Sequence, residues 1–207
     1  MVRKNLFIAL EGIDGSGKST QARYLAEYLI KHGHKVYTTF EPTNNRIGTI
    51  IRDIFNHRME GDHRVIAGLF VADRLDHLLH SEYGILHKLA DGYTVITDRY
   101  YFSSYAYHGV HMSMDWVIDA NSLSANLLRP DLNIYIDISP EVSMARINKG
   151  RDSKELYETM DNLTNVHKKY TEAFELLKHE EKIYITEGNR SESLIAKDIW
   201  KEVEKLL

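Results

Sequence analysis

The sequence contains no cysteine and only three prolines in 207 residues. Without cysteine the protein can form no disulfide, no thiolate nucleophile and no thiolate metal site. Its hydrophobic fraction of 43% and charged fraction of 27% are close to those of globular proteins, which argues against intrinsic disorder. The chemistry of this chain must therefore come from oxygen and nitrogen side chains or from bound ligands.

An excess of positive charge and long apolar runs are also missing. The 26 basic residues are outnumbered by 30 acidic ones, which argues against a protein that holds long nucleic acid through charge. No apolar run is long enough to span a membrane, and residues 1–6 leave no room for a signal peptide before the first predicted strand. We expect a cytoplasmic protein with one domain, residues 1–207, that binds neither nucleic acid nor membrane.

A glycine-rich stretch after the first apolar run fits the phosphate-binding loop pattern G-x-x-x-x-G-K-S without a mismatch. Gly12 and Gly17 let successive backbone N–H groups point inward, and the following helix adds partial positive charge at its N-terminus. Lys18 would reach the β- and γ-phosphates of a nucleotide, and the Ser19 hydroxyl would bind Mg²⁺. The predicted ATP-binding residues of the loop are Gly12, Ile13, Asp14, Gly15, Ser16, Gly17, Lys18, Ser19 and Thr20.

Five short apolar runs alternate with amphipathic segments of helical period. The runs predict strands at residues 7–11, 35–40, 93–97, 132–137 and 182–186. Two long helices are predicted at residues 63–90, with a kink allowed near Gly84, and at residues 154–179. Such alternation is typical of a parallel sheet covered on both faces. The predicted fold is a P-loop NTPase-type α/β fold with three layers, a five-stranded parallel sheet and a short helical lid.

Polar residues follow the predicted strands at the ends where ligands of parallel sheets bind. Glu41 follows the second strand, Asp98 and Arg99 follow the third, and Gly188 follows the fifth. An arginine beside a phosphate loop suits a second phosphate, because its planar fork holds phosphate oxygens in pairs. This arrangement favours an enzyme that acts on a nucleoside monophosphate.

Four motifs together resemble the thymidylate kinase family. They are E-G-I-D-G-S-G-K-S-T at residues 11–20, F-E-P at 40–42, L-F-V-A-D-R-x-x-H at 69–77 and D-R-Y-x-x-S-S-x-A-Y at 98–107. They occur in family order and at family-like spacing over nearly the whole chain. The resemblance implies transfer of the γ-phosphoryl group of ATP to dTMP, which gives dTDP and ADP for dTTP synthesis. It also implies Mg²⁺ as cofactor and a homodimer.

The resemblance further implies roles for residues of the acceptor site. Phe70 would stack on the base, and Ser104 and His108 would contact the base edge. Arg74 would contact a thymine carbonyl, and a donor-only group there favours thymine O4 over the amino group of cytosine. Tyr107 would crowd the 2′ position of the sugar, so that deoxyribose fits better than ribose. Histidine at position 108 is a departure, since many relatives carry glutamine there.

Phosphate and metal residues are implied in the same way. Arg52 and Arg99 would hold the phosphate of dTMP, and Glu41 would organise an arginine, a water or a metal ion. Asp14 would lie near the 3′-hydroxyl and the metal. The implied metal ligands are Ser19, Asp14 and Asp98, and the loop at Gly188 adds to the ATP site.

Some family members carry an arginine inside the phosphate loop, where this chain has Gly15. The charge-stabilising arginine is therefore expected from the lid, at about residues 146–158, with Arg151 as first choice and Arg146 and Lys149 behind it. A solvated charged helix end is the alternative for Lys149 and Lys154. The resulting catalytic set is Lys18, Arg99, Arg151 and Asp14.

Two other functions remain open from the sequence. One is a P-loop kinase for another nucleoside monophosphate or a nucleoside. The other is a GTPase-type switch or ATP-dependent regulator, which would need D-x-x-G beyond the phosphate loop and an N-K-x-D base reader. The nearest match, N-K-G-R at residues 148–151, lacks the aspartate.

Overall fold

The computed structural model describes residues 5–150 and 155–207, and its centre is a five-stranded parallel sheet. The strands are β1 Phe7–Glu11, β2 Lys35–Phe40, β3 Tyr93–Asp98, β4 Leu132–Asp137 and β5 Ile183–Glu187, in the spatial order β2-β3-β1-β4-β5. The helices are α1 Lys18–Lys31, α2 Arg46–Phe55, α3 His63–Leu79, α4 Ile85–Ala90, α5 Tyr101–His108, α6 Met114–Leu127, α7 Pro140–Gly150, α8 Met160–Leu177 and α9 Glu192–Glu204. The predicted α/β fold with a parallel sheet is confirmed.

Alternating side chains of β1 divide the core into two layers. Ile8 and Leu10 pack into a cluster that α1 and α9 complete on one face of the sheet. Phe7 and Ala9 face the opposite cluster, which α2, α3, α5 and α8 supply on the other face. Since every residue of β1 is buried, the strand reads as a continuous apolar run, which is typical of a strand covered on both sides.

The register of the sheet brings the carboxyl ends of the strands to one level. Asp98 at the end of β3 is paired with Leu10 of β1 and with Phe40 of β2. Asp137 of β4 is paired with Glu187 of β5 in the same way. The loops that follow these strands therefore meet along one edge, where side chains distant in sequence come within contact.

The single long helix predicted for residues 63–90 is wrong. The chain forms α3 and α4 instead, because His80 leaves the helical region with φ −60° and ψ 133°. The backbone N–H of Gly84 then donates to the carbonyl of His80 at 3.0 Å and closes a turn. The apolar period continues across this turn, so the sequence pattern indicated at most a kink near Gly84, where the chain forms a complete break.

The helix predicted from residue 154 begins later, at Met160. Thr159 caps α8 by accepting a hydrogen bond from the backbone of Asn162 at 3.3 Å. Before it, the carboxylate of Glu158 accepts a hydrogen bond from the backbone of Glu155 at 2.8 Å. Such local side-chain bonds compete with helix formation and keep this segment in turns.

Within residues 5–150 and 155–207, no helix combines the length and the apolar character that a membrane span requires.

Helix α2 lies unusually close to the turn that follows β2. A Cβ atom at Gly48 would lie only 2.0 Å from the carbonyl oxygen of Thr43. One turn later, the guanidinium of Arg52 donates to that same carbonyl and to the carbonyl of Pro42 at 2.9 Å. Glycine at position 48 thus permits the approach that places Arg52 beside the turn.

Replacing Gly48 by alanine should push α2 away from this turn. Overpacking of this kind typically costs about 1–3 kcal/mol in the free energy of unfolding. Urea unfolding of Gly48→Ala measures the loss. Arg46→Ala, at the exposed start of the same helix, is the control and should stay within about 0.5 kcal/mol of the parent protein. Equal stability of the two variants would contradict the packing argument.

Candidate functional site

The phosphate-binding loop closes on itself between β1 and α1. A Cβ atom at Gly12, which has φ +148°, would lie 2.6 Å from the Ser16 hydroxyl, so the turn requires glycine. The ammonium group of Lys18 donates to the carbonyls of Gly12 and Ile13 at 3.1 and 3.2 Å. Burial, and next the charge of Arg99, lowers the pKa of Lys18 to about 8. The predicted loop residues therefore form one compact cradle around the lysine.

Asp14, Arg99 and Tyr107 meet beside this loop. The Arg99 guanidinium contacts the Asp14 carboxylate, whose other oxygen accepts a hydrogen bond from the Tyr107 hydroxyl at 2.8 Å. The Arg99 guanidinium carbon also lies 4.9 Å from the centre of the Tyr107 ring, which suits a cation–π contact. The structure thus brings together three of the predicted site residues, from the loop, the end of β3 and α5.

The buried carboxylate of Glu11 is bonded to residues that surround this group. Glu11 accepts hydrogen bonds from the backbone of Tyr100 at 2.9 Å, from the Ser103 hydroxyl at 2.6 Å and from the Tyr170 hydroxyl at 2.9 Å. Burial raises the pKa of Glu11, although these donors and Arg99 oppose the shift. Glu11 therefore ties β1 to α5 and α8. From the sequence, Glu11 was recognisable only as the first residue of the motif at residues 11–20.

A cleft of about 240 Å³ opens on the far side of Arg99. Its walls combine apolar rings with charged and polar groups. The lining residues are Asp14, Phe40, Pro42, Arg52, Phe55, Asn56, Phe70, Arg99, Ser103, Ser104, Tyr107, His108, Glu155, Tyr157 and Glu158. Most of the residues expected to bind the acceptor are therefore together. Phe55 and Tyr157 were missed, because each reads as an ordinary apolar position of a helical segment.

Aromatic rings form one wall of the cleft. The ring centre of Phe70 lies 5.9 Å from that of Phe55 and 5.2 Å from that of His108. Burial, followed by the positive charge of Arg74, lowers the pKa of His108 to about 3. Its Nδ1 atom is buried and has no hydrogen-bond partner within the described residues. His108 therefore stays neutral near pH 7 and retains a ring nitrogen for a polar contact.

Arg74 stands behind this wall rather than on its surface. Its side chain is 0% exposed, and it donates to Glu41 at 2.9 Å, to Ser104 at 3.0 Å and to Asn121. His77 contacts the second oxygen of Glu41 at 3.1 Å. The arginine that Glu41 organises is thus Arg74. Its predicted contact with a thymine carbonyl stays a prediction.

The charge of Glu41 depends on these neighbours. Burial alone would raise the pKa of Glu41, but the charge of Arg74 and the contact with His77 bring the pKa below its ordinary value. Asp73 lies next to Arg74 on α3 and accepts two hydrogen bonds from Thr43, one from its backbone N–H at 2.7 Å and one from its hydroxyl at 2.6 Å. Two adjacent residues of α3 therefore hold the turn after β2. From the sequence, Asp73 and His77 were recognisable only as members of the motif at residues 69–77.

The three predicted metal ligands are divided between two places. The Ser19 hydroxyl donates to Asp98 at 2.5 Å, so these two side chains are neighbours at the mouth of the phosphate loop. Asp14 instead directs its carboxylate to Arg99 and Tyr107. Across the described part of the chain, three or more histidine, aspartate or glutamate side chains do not gather into a metal-binding group. Metal chemistry here would rest on the hydroxyl and carboxylate pair.

Of the lid arginines, Arg146 is among the described residues. Arg151, the first choice for the catalytic arginine, lies outside them. Arg146 on α7 donates to the carbonyls of Gly15 at 3.1 Å and of Gly188 at 3.0 Å, so its guanidinium joins the phosphate loop to the loop after β5. Thr20 lies in the first turn of α1 and, with residues of the phosphate loop, lines a second cleft.

Comparison with known proteins agrees with this geometry. The sequence profile of the family described as thymidylate kinase matches residues 10–199. A probable thymidylate kinase of Methanococcus aeolicus is 37% identical over 203 residues, 96% of each chain. One of Thermococcus onnurineus is 40% identical over 82% of each chain. A thymidylate kinase of Shouchella clausii is 34% identical over 100% of this chain and 98% of its own.

The buried neutral imidazole of His108 makes a prediction about acid stability. An unfolded histidine takes up a proton near pH 6.5, whereas the folded protein resists this until about pH 3, so stability falls as the pH drops through this window. Between pH 7 and pH 5 the loss from this residue is about 2 kcal/mol. His108→Gln should lose correspondingly less stability over that range in urea unfolding. His179→Gln, at an exposed site, is the control, and an identical pH slope in both variants would count against a buried neutral ring.

Proposed function

The chain belongs to the thymidylate kinase family, and we propose a division of roles among its residues in the transfer of the γ-phosphoryl group of ATP to dTMP. It is an ATP-dependent nucleoside monophosphate kinase. The observation that carries the proposed roles is that Asp14, Phe40 and Arg99 line both clefts, the one at the phosphate loop and the one at Phe70. A donor in the cleft at the phosphate loop and an acceptor in the cleft at Phe70 would meet at Arg99.

On the donor side, the phosphate loop and Lys18 bind ATP. Successive N–H groups of the loop and the N-terminus of α1 favour the negative phosphates. Lys18 already lies within the loop, 3.1 Å from the Gly12 carbonyl, and from there its ammonium group turns to the β- and γ-phosphates. Thr20 and the loop at Gly188 complete the nucleotide site. In this role Lys18 stabilises charge and does not exchange a proton.

On the acceptor side, the cleft holds dTMP with its base against Phe70. Ser104 and His108 contact the base edge, and Tyr107 packs against the 2′ position of the sugar. Arg74 acts on the base from behind Ser104, with which it shares a 3.0 Å hydrogen bond. Because the Ser104 hydroxyl accepts this bond from Arg74, its own hydrogen is left to donate, which favours an acceptor such as thymine O4.

The phosphate of dTMP is held between Arg52 and Arg99. Both arginines line the cleft, and a guanidinium group can hold phosphate oxygens in pairs. Phosphoryl transfer depends mainly on positioning and on charge stabilisation. The acceptor oxygen of dTMP is already anionic, so no general base is required. Asp14 keeps Arg99 in place between donor and acceptor, and Arg151 in the proposed lid, residues 146–158, adds positive charge to the transferred group.

Mg²⁺ fits the side chains at the mouth of the phosphate loop. Ser19 and Asp98 present a hydroxyl and a carboxylate oxygen to one another, and Mg²⁺ prefers a few such oxygens together with water and substrate phosphates. When bound, the ion would neutralise charge on the phosphates of ATP. Asp14 is the weaker candidate ligand because Arg99 and Tyr107 already engage its carboxylate.

A homodimer is supported by exposed apolar side chains on α3 and α6. Val65 and Leu79 are 54% and 56% exposed, and Trp116 and Leu123 are 46% and 57% exposed. Large exposed apolar side chains on neighbouring helices favour an interface with another protein surface. We propose that a second copy of the chain covers them. The single domain of residues 1–207 and the cytoplasmic location stay predictions.

Removing the ring of Phe70 should weaken dTMP binding without changing the affinity for ATP. Stacking on an aromatic ring contributes about 1–3 kcal/mol per base, so the KM for dTMP should rise by about 5- to 150-fold in Phe70→Ala. Phe70→Leu keeps apolar volume but lacks the flat face, and should be nearly as impaired. A coupled ADP-release assay measures both substrates, and an unchanged KM for dTMP in both variants would exclude the stacking role.

The same assay across a panel of monophosphates tests the acceptor. ADP release should require an added monophosphate, with dTMP preferred and dUMP tolerated. Equal turnover of dCMP and dTMP would contradict the role given to Arg74. ADP release without any monophosphate would instead support the function of an ATP-dependent regulator.

A further inference from the structure

Helix α7 holds the outer side of the phosphate loop through two side chains. The Ser143 hydroxyl donates to the carbonyl of Asp14 at 2.6 Å. The Arg146 guanidinium, one turn later, donates to the carbonyl of Gly15 at 3.1 Å and lies 3.5 Å from that of Ser16. Three consecutive carbonyls of the loop therefore face α7.

The direction of these carbonyls decides where the loop's N–H groups point. In a trans peptide the C=O and the N–H point in opposite directions, so a carbonyl held on the outside turns its partner N–H away from α7. The peptides concerned carry the N–H groups of Gly15, Ser16 and Gly17. The N–H of Ser16 donates within the loop, to the carbonyl of Ile13 at 3.2 Å. The N–H groups of Gly15 and Gly17 have no acceptor among residues 5–150 and 155–207, so they can donate to phosphate.

Arg146 also reaches the second loop of the nucleotide site. Its other terminal nitrogen donates to the carbonyl of Gly188 at 3.0 Å. Gly188 is itself anchored to the sheet, because its N–H donates to the carbonyl of Asp137 at 2.7 Å. One guanidinium thus joins the loop after β1 to the loop after β5. Lysine could not reproduce this, since it has a single ammonium in place of a planar fork.

The fit between α7 and the loop is close at the residue that Arg146 holds. A Cβ atom at Gly15, which has φ +73°, would lie 3.1 Å from the carbonyl of Ser143 and 3.5 Å from the Cβ of Arg146. The loop therefore rests directly on α7, and Arg146 directs its guanidinium to backbone carbonyls. These contacts set it apart from a cation that touches the transferred phosphate.

We propose that Arg146 is a positioning residue for ATP, which orients the phosphate loop from outside and sets its distance from the loop at Gly188. Ser143 assists it at the carbonyl of Asp14. The inference rests on the proposed ATP site, and it assigns to the face of α7 a role in nucleotide affinity. It predicts that loss of Arg146 weakens the binding of ATP and leaves the dTMP cleft unchanged.

The test compares Arg146→Gln, Arg146→Lys and Ser143→Ala with the parent enzyme. In Arg146→Gln the KM for ATP and the calorimetric Kd for ADP should rise about tenfold or more, while the KM for dTMP stays within about twofold. Arg146→Lys should recover only part of this loss, since lysine reaches one loop at a time. Ser143→Ala should shift the same two constants in the same direction by a smaller factor.

Arg190→Gln is the matched control. Arg190 also anchors the loop after β5, through the Glu187 carbonyl at 3.2 Å and Asp198 at 2.9 Å, and its described contacts do not include the phosphate loop. Its replacement removes the same charge and should leave the KM for ATP within about twofold of the parent value. An equal loss in Arg190→Gln and Arg146→Gln would overturn the inference, because general loosening of the loop would explain both.

The remaining outcomes separate this inference from the proposed function. Full ATP affinity in Arg146→Gln, or complete recovery in Arg146→Lys, overturns the positioning role while the kinase assignment stands. A parent protein that releases no ADP when dTMP is added overturns the proposed function itself. If Arg146→Gln does not fold, Arg146→Lys and Ser143→Ala decide, and unchanged ADP affinity in both rejects the role.

Discussion

The contact between Arg99 and Asp14 is the interaction on which the site depends, because it lies on the wall shared by the two clefts. Arg99 follows β3 directly and has φ +77°, a left-handed conformation that is uncommon for any residue other than glycine. Its backbone N–H is held by the carbonyl of Leu10 at 2.9 Å, at the end of β1. The surrounding sheet thus maintains an unfavourable backbone conformation, which is a common feature of functional sites.

Two buried carboxylates, those of Glu11 and Glu41, connect the site to the surrounding helices. Glu11 lies beneath Arg99 and binds donors from α5 and α8, while Glu41 binds Arg74 from α3. Burying either carboxylate without partners would be costly, so each fixes the positions of the elements that supply its donors. The two clefts can therefore share one wall with little freedom, which suits a reaction that depends on alignment of two substrates.

The sequence predicted the strands well, because each is a short apolar run bounded by turn residues, and the sheet is parallel because helices separate them. It predicted the phosphate loop for a similar reason, since spacing within eight residues determines that geometry. The failures have a common cause. Apolar positions lie on both sides of residues 80–84 and within residues 155–159, but a turn at His80 ends α3, and capping by Thr159 starts α8 only at Met160. Periodicity shows which positions are apolar, and it does not show where a turn or a side-chain hydrogen bond interrupts a helix.

For the candidate site, residue types near the strand ends could be read from the chain, and the family followed from the order of four motifs. By itself the sequence therefore determined the reaction class, the parallel sheet and the phosphate loop. Only the tertiary structure decided that Arg74 faces Glu41, that Phe55 and Tyr157 complete the cleft, and that Arg146 serves two loops. These pairings join residues from 15 to 131 positions apart. They depend on which elements the core brings into contact and on how each buried charge finds a partner, and neither is encoded in local spacing.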